Sequence, residues 1–310
     1  MKDNGVINSV SPIRDYEYSA ISGSTEKNFP IEYTVKYTGA EIKDQGNYPF
    51  CVACALATVL EAWIQKIYGE NIIISETFNF GALRKDALAI NGMIHSEALK
   101  MQTEIGSVAK DIFDVVLGMP EIYNEIQKIS GLFEEAKKWR FANYVKLNNG
   151  DTKTGRQKDL EIKDALTKYD VPLFAISPHH FGGSHAIAII GWDDNSDSYI
   201  IKNSWGESYG DKGNAKIPKS EIREVYLLLY EPIKLPFTDV KEDDWFYDYV
   251  KQAYLSGIIN GKTETTFEPN MNITRAEAAA MISRLENKID KAIEMMNDVL
   301  RMEIKYDKIK

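Results

Sequence analysis

The spacing of hydrophobic positions changes near residue 144, and the two patterns predict two kinds of structure. From Cys51 to Tyr68 apolar residues recur at the helical interval, with Ala55, Val59 and Trp63 on one face, which predicts a largely buried helix. Other helical stretches, such as HSEALKMQTEI and EIYNEIQKISGLFEEAKKW, lie between residues 75 and 140. The earlier segment FPIEYTVKY alternates apolar and polar positions, as a strand does.

Beyond residue 144 the apolar runs are short and are separated by Gly, Asn, Asp and Pro. Such runs are typical of strands in an antiparallel sheet, and they read ANYVKLNN, VPLFAIS, HAIAIIGWDD, SYIIKNSWG, GNAKIP and VYLLLYEP. Helices that precede strands along the chain indicate an α+β fold.

The predicted boundaries give five segments. Residues 1–27 form a polar lead-in that could cover a groove, and 28–231 form the main domain. Two prolines mark a linker at 232–236, and a small helical module follows at 237–285, with Thr274 and Glu277 in the spacing of a capping box. Residues 286–310 are predicted to form an amphipathic helix, with one apolar stripe of Ile289, Ile293, Met296, Leu300 and Ile304.

Composition and charge exclude some classes of partner. The chain has 310 residues, 44% of them hydrophobic and 27% charged, with a formal net charge of -9, and this acidic balance disfavours nucleic acid. It contains no uninterrupted run of about 18 apolar residues, so no membrane span is predicted. The polar amino terminus lacks the pattern of a secretory signal, which leaves an intracellular protein and a processed start both open.

Both cysteines lie in the tetrad CVAC at the start of the first predicted helix. A zinc site would need about four ligands, for which only His95, His179, His180 and His185 remain, and a redox pair would need a βαβ setting. A nucleophilic thiolate instead requires an electropositive site such as a helix amino terminus. That requirement favours Cys51 as the reactive thiol and Cys54 as a small buried hydrophobe.

A partner for Cys51 is found in the segment GGSHAIAIIGWDD. His185 opens this apolar strand, which predicts an imidazole at a sheet end, although a core histidine is the alternative. In IIKNSWGESYG, Asn203 can bond one imidazole nitrogen and Trp205 can shield that bond from water. His95, His179 and His180 are predicted to be surface or loop residues.

These motifs resemble those of papain-like cysteine peptidases over roughly residues 28–231. DQG with Gln45, SHAIAIIGW and KNSWG follow in the family's order, and His185 and Asn203 follow Cys51 at about the 130–150 positions typical of that family. The resemblance implies a two-lobed α+β fold, with a helical lobe and an antiparallel β lobe, and a cysteine endopeptidase (a hydrolase of the thiol protease class) that needs no metal or other cofactor.

The same resemblance implies the role of each site residue. Cys51 would be the nucleophile, His185 the general base and acid, and Asn203 the residue that orients His185. Gln45 would donate to the oxyanion together with the backbone N–H of Cys51. Trp205 would also line the site for a peptide or protein substrate.

Some positions depart from the family pattern. Pro49 and Phe50 stand where the family has small residues and a cysteine, so Phe50 is a candidate substrate contact that alters the cleft wall. This departure raises the alternative of a catalytically inactive papain-like adaptor, and a transpeptidase would use the same residues. Gly92 and Met93 in NGMIHSEA are candidates for the substrate-binding stretch; a plain loop before a helix is the alternative.

Residues 237–285 resemble an S-layer homology module, through Phe237, Asp239, Trp245, Val250, Ala253, Gly257, Gly261, Phe267, Pro269 and ITRAE. The resemblance implies a small all-α module that binds anionic polysaccharide of a bacterial cell wall, with Arg275 and Trp245 as glycan contacts. Because three such modules usually cooperate and this chain has one, a homotrimer is one arrangement; weak binding or a protein contact are others. The implied location is the cell surface or cell wall, with the cytoplasm as the alternative.

Overall fold

The computed structural model describes most of the chain in separate ranges. These are residues 28–82, 92–114, 128–147, 155–230, 235–255 and 257–287, with short pieces at 6–7, 16–17, 122, 125–126, 289–290 and 293. Most of the predicted lead-in, part of the linker and most of the predicted helix 286–310 lie outside the described residues.

A mainly antiparallel sheet forms the second half of the main domain and confirms all six predicted strands. Its strands are β5 (Asn143–Leu147), β6 (Leu173–Ser177), β7 (His185–Asp193), β8 (Ser198–Lys202), β9 (Asn214–Pro218) and β10 (Glu224–Leu229). They lie in the order β5-β10-β6-β7-β8-β9, with β3 (Glu32–Thr34) paired to β7 and β2 (Tyr16–Glu17) paired to β5. The β2 pairing is parallel, which the apolar pattern did not indicate.

The core lies between this sheet and the helices of the first half. The helix α1 (Cys51–Tyr68) packs on β7 and is buried from Cys51 to Ile64. Its length and apolar composition would suit a membrane span, but 78% of it is buried within the protein. The indole N–H of Trp63 donates to the Leu228 carbonyl at 2.8 Å. The helix is therefore the central core helix of the domain.

The other helices of the main domain are shorter than α1. They are α2 (Glu76–Ala82), α3 (His95–Glu104), α4 (Leu132–Ala136) and α5 (Gly155–Tyr169). The short strands β1 (Val6–Ile7) and β4 (Met93–Ile94) pair in parallel beside α3. Helices and an antiparallel sheet together confirm the α+β class.

The prediction that His95 is a surface or loop residue was wrong. It opens α3 and is only 1% exposed, with its Nε2 atom 3.5 Å from the carboxylate of Glu224 on β10. Sequence spacing could not show this, because the contact joins a helix to a strand far away in the chain. His179 and His180 are exposed, as predicted.

A buried charge cluster joins the loop before α1 to α1 itself. The Lys43 ammonium lies 2.7 Å from Glu61, 3.0 Å from Glu41 and 3.4 Å from Glu76, and it donates to the Ile74 carbonyl at 3.0 Å. Glu61 has no exposed surface and accepts the backbone N–H groups of Ala40 and Ile74. Burial of these charges is tolerated because each has several partners.

The carboxy-terminal module has a small core of its own, made of Phe237, Val240, Tyr247, Val250 and Ile259. It contains α6 (Tyr247–Leu255) and a second helix, α7, over 275–287. The predicted capping box at the start of α7 is confirmed: the N–H of Glu277 donates to Thr274 Oγ1 at 3.1 Å, and the N–H of Thr274 donates to Glu277 Oε2 at 2.8 Å. The Asp239 carboxylate accepts the N–H groups of Phe267 and Glu268.

Candidate active site

Cys51 is the first residue of α1 and has no exposed surface. Phe50 occupies the N-cap position and has no polar side chain to bond the first turn, whose N–H groups lack partners within the helix. The helix macrodipole favours a negative charge at this end. The position therefore suits a thiolate.

Cys54 lies one turn further along and is buried at 1% exposure, which confirms it as a small core residue. Burial, and then the nearby Glu76 carboxylate, raises the pKa of the Cys54 thiol well above its usual value. A thiol in this environment stays protonated and unreactive. The two cysteines of CVAC thus have different surroundings despite their short separation.

His185 and Asn203 are joined by a hydrogen bond of 2.7 Å between His185 Nε2 and Asn203 Oδ1. The same oxygen accepts the backbone N–H of Ser204 at 2.8 Å, which fixes the amide with its oxygen toward the imidazole. A carbonyl oxygen can only accept, so Nε2 carries the proton. In the neutral ring Nδ1 is then the basic nitrogen.

Two aromatic rings, those of Trp205 and Tyr209, lie beside this pair. The ring of Trp205 lies 5.0 Å from that of His185, between centroids, and 5.1 Å from that of Tyr209. Burial raises the pKa of the Tyr209 hydroxyl, and the nearby Asn203 amide opposes that rise. The sequence indicated Trp205 as a cover but gave no reason to include Tyr209.

The all-buried strand β7 explains why His185 lies inside the protein. All nine residues of β7 are buried, because α1 and α5 both pack on this strand. Its first residue, His185, is drawn in with the rest and has no exposed surface. Asn203 lies just beyond the end of β8, the strand next to β7. Its backbone N–H donates to the Gly213 carbonyl.

Gln45 is held against the loop that follows Asn203. Its backbone N–H donates to the Ser204 carbonyl at 2.9 Å, and its side-chain oxygen accepts the Ser204 hydroxyl at 2.6 Å. The side-chain amide donates to the Tyr48 carbonyl at 2.8 Å. An amide has two N–H groups, and this bond fixes the plane of both.

Further bonds connect the same two loops. Asp44 and Trp205 form an antiparallel bridge, and the Gly206 N–H donates to the Lys43 carbonyl at 3.0 Å. Gly206 has a φ of +76°, and a Cβ atom there would lie 2.9 Å from the Asp44 carboxylate. The glycine in KNSWG is thus favoured mainly by this positive φ, because the Asp44 carboxylate is the end of a side chain that can shift.

The predicted substrate-contact residues are mostly buried in this structure. Phe50 is 4% exposed and packs between Tyr48 and Phe80, with ring centroids 5.2 Å and 4.4 Å away. Gly92 and Met93 are also buried, and Met93 pairs with Val6. Trp205 is half-buried against His185.

The predicted glycan contacts are accessible. Trp245 is 83% exposed and its ring touches those of Phe246 and Tyr249. Arg275 is also exposed, at the start of α7.

The described residues form a papain-like fold in which His185 and Asn203 are hydrogen-bonded. Residues 123–227 match the family model described as papain family cysteine protease, and residues 236–279 match that of the S-layer homology domain. One stretch of the chain is therefore similar to papain-family cysteine proteases and another to S-layer homology domains, as its motifs indicated.

Known proteins resemble the two parts separately. Cathepsin K of Mus musculus is 24% identical over 206 residues, which cover 62% of this chain and 60% of that protein. An endoglucanase of Bacillus sp. (strain KSM-635) is 41% identical over 49 residues, and the surface-layer 125 kDa protein of Lysinibacillus sphaericus is 44% identical over 46 residues. These two matches cover 16% and 15% of this chain, and the chain spans only 5% and 4% of those two proteins.

Solved structures support the fold. Xylellain, a cysteine protease from Xylella fastidiosa, aligns with a TM-score of 0.58 at 16% identity, covering 76% of this chain and 98% of that one. The digestive procathepsin L2 proteinase of Tenebrio molitor aligns with a TM-score of 0.55 at 15% identity, covering 74% and 78%. At such identities the likeness establishes the papain-like fold.

Proposed function

We propose that the papain-like domain is a cysteine endopeptidase in which Cys51 and His185 act as a thiolate and imidazolium pair. The observation that carries this proposal is the 2.7 Å bond from His185 Nε2 to Asn203 Oδ1. That bond leaves Nδ1 to take the Cys51 proton, and the position of Cys51 at a helix start stabilises the resulting thiolate.

The proposed reaction has two stages. The thiolate attacks the peptide carbonyl carbon, and the negative charge that develops on oxygen is stabilised by Gln45 and the N–H of Cys51. His185 then gives its proton to the leaving amine as the C–N bond breaks, which yields a thioester. Water, deprotonated by His185, then attacks the thioester carbonyl carbon; the C–S bond breaks, the acyl product leaves as a carboxylic acid, and the Cys51 thiolate and His185 imidazolium are regenerated.

The alternative of an inactive adaptor rested on the bulky Phe50 and the unusual Pro49, which could obstruct the cleft beside the nucleophile. Since Phe50 packs in the core at 4% exposure, that steric reason is weakened. Transpeptidation would use the same residues and differs only in whether an amine or water attacks the thioester. Product analysis with and without an added peptide amine distinguishes the two.

Labelling with an epoxide thiol inhibitor tests the proposal, with the two cysteines as a matched pair. We expect wild type and Cys54→Ala to be labelled once, at Cys51, at mildly acidic pH, and Cys51→Ala and His185→Ala to remain unlabelled. A peptide library should be cleaved by the first two proteins only. Equal labelling of the His185→Ala variant would contradict the proposal.

We further propose that the carboxy-terminal module attaches the enzyme to anionic cell-wall polysaccharide at a bacterial surface. The exposed guanidinium of Arg275 suits a carboxylate, and the exposed ring of Trp245 offers a flat apolar face. Arg275→Ala should reduce cosedimentation with purified cell walls, whereas Lys241→Ala, which removes an exposed cation of the same module, should not. Equal loss in both variants would indicate nonspecific charge attraction.

Association into a trimer is part of this proposal. Ile282, Leu285, Ile289 and Ile293 are between 39% and 57% exposed and recur at helical spacing, so they form an apolar stripe that a second and third copy could cover. Light scattering at micromolar concentration should give about three times the chain mass. A mass of 35.2 kDa would contradict the trimer.

A further inference from the structure

A tight turn directly precedes the strand that carries His185. The N–H of Gly182 donates to the carbonyl of His179 at 3.1 Å, so residues 179–182 form a β-turn between β6 and β7. Gly182 has a φ of +78°, a conformation that favours glycine. The turn sets the direction of the Phe181 side chain.

Phe181 lies on the imidazole of His185. Its ring centroid is 4.8 Å from that of His185 and 5.4 Å from that of Trp205. Phe181 is half-buried while His185 has no exposed surface, so Phe181 forms part of the cover between the imidazole and solvent. The imidazole thus contacts two aromatic rings: that of Phe181, in the turn before β7, and that of Trp205, in the loop after β8.

Two physical effects follow from this arrangement. Contacts from two rings restrict rotation of the imidazole, and proton transfer depends on such orientation. The rings also exclude water from the Nε2–H···Oδ1 bond, and a hydrogen bond is stronger in a less polar environment.

We propose that Phe181 is a positioning residue that, with Trp205, holds His185 in the orientation bonded to Asn203. This inference rests on the proposed function, because the orientation matters only if His185 exchanges a proton with Cys51. It adds a residue that lies outside the motifs shared with the papain-like family.

The test measures peptide cleavage and the pH dependence of Cys51 alkylation by iodoacetamide. Phe181→Ala should lower kcat by about two- to tenfold, because the free energy of one aromatic contact corresponds to a rate change of that size. KM should change less than twofold. Alkylation should require higher pH, because a loosely held imidazole stabilises the thiolate less. Phe181→Tyr should restore both properties.

Phe29→Ala is the matched control. Phe29 is also half-buried and also touches an aromatic ring, that of Trp192, at 6.0 Å. Trp192 is near the other end of β7, roughly 23 Å from His185 at the rise of a strand. Phe29→Ala should keep the alkylation profile of wild type. Phe181→Leu retains apolar volume and should shift the profile in the same direction if the alanine variant does not fold.

The outcomes separate this inference from the proposed function. If wild-type Cys51 shows no His185-dependent alkylation at acidic pH, both are wrong. If wild type shows it and both Phe181→Ala and Phe181→Leu keep the same kcat and profile, only the role of Phe181 is wrong. A shifted profile that tyrosine restores supports the inference.

Discussion

Replacement of Lys43 by methionine should destabilise the papain-like domain strongly. The Lys43 side chain is 1% exposed and its ammonium contacts three carboxylates. Removing one partner of a buried ion pair costs about 3–5 kcal/mol, because the other charge stays buried without compensation. Glu61, with no exposed surface, would be that charge, although it keeps the backbone N–H groups of Ala40 and Ile74.

The loss is large relative to a typical free energy of unfolding of about 5–15 kcal/mol. Urea unfolding followed by tryptophan fluorescence measures it, since four of the five tryptophans belong to residues 28–231. Lys137→Met is the control, because Lys137 is 51% exposed and pairs with the exposed Glu134, three residues before it. That variant should change the free energy of unfolding by less than about 1 kcal/mol.

The destabilisation should also depend on pH in a defined direction. Burial raises the pKa of Glu61 above its ordinary value of 4.5, and Lys43 opposes that rise. Without Lys43 the folded-state pKa rises further, so the folded protein binds more protons than the unfolded chain between 4.5 and that raised value. Stability in this window then increases as pH falls.

The difference between variant and wild type should therefore be larger at pH 8 than at pH 5. Adding Glu61→Gln to Lys43→Met should recover part of the loss at pH 8, because the uncompensated charge is removed. If Lys43→Met loses no more stability than Lys137→Met, or if its loss grows toward pH 5, the reasoning about this cluster is wrong.

Three other variants test the site and its cover. Gln45→Ala should lower kcat by about two to three powers of ten through loss of an oxyanion donor; a loss below tenfold in steady-state assays would exclude that role. Gly206→Ala should cost about 1–3 kcal/mol in urea unfolding, from the φ of +76°, and an unchanged midpoint would contradict the argument. Deletion of residues 1–24 should raise peptidase activity, because Val6 pairs with Met93 and neither Cys51 nor His185 is exposed; unchanged activity would argue against a covering lead-in.

The apolar pattern predicted the fold well where it reflects local structure. The run from Cys51 to Tyr68 is one helix with those bounds, and each short run after residue 144 is a strand. These segments are long or regular enough for period and length to identify them. The parallel strand β2 could not be predicted, since it is only two residues long.

The site was predicted in part, for a similar reason. His185 and Asn203 are recognisable because their motifs surround them, and the structure brings these two side chains within hydrogen-bonding distance. Phe181, by contrast, contacts His185 only because of the turn before β7, and Ser204 reaches Gln45 only because two loops pair. The roles of such residues depend on tertiary contacts, which cannot be seen in a single sequence.

Lys43 connects the stability of the domain with the geometry of the site. Its side chain bonds Glu61 on the helix that begins with Cys51, and its carbonyl accepts the N–H of Gly206, in the loop that follows Asn203. Gln45 lies two residues further along the same loop. The proposed nucleophile Cys51 is on α1, the oxyanion donor Gln45 is in the loop before α1, and the orienting amide of Asn203 precedes the loop of Gly206. Lys43 belongs to the second of these segments and bonds to the other two. A substitution that weakens this cluster without unfolding the protein should therefore reduce kcat more than it changes KM, because chemistry depends on the alignment of these segments more than binding does.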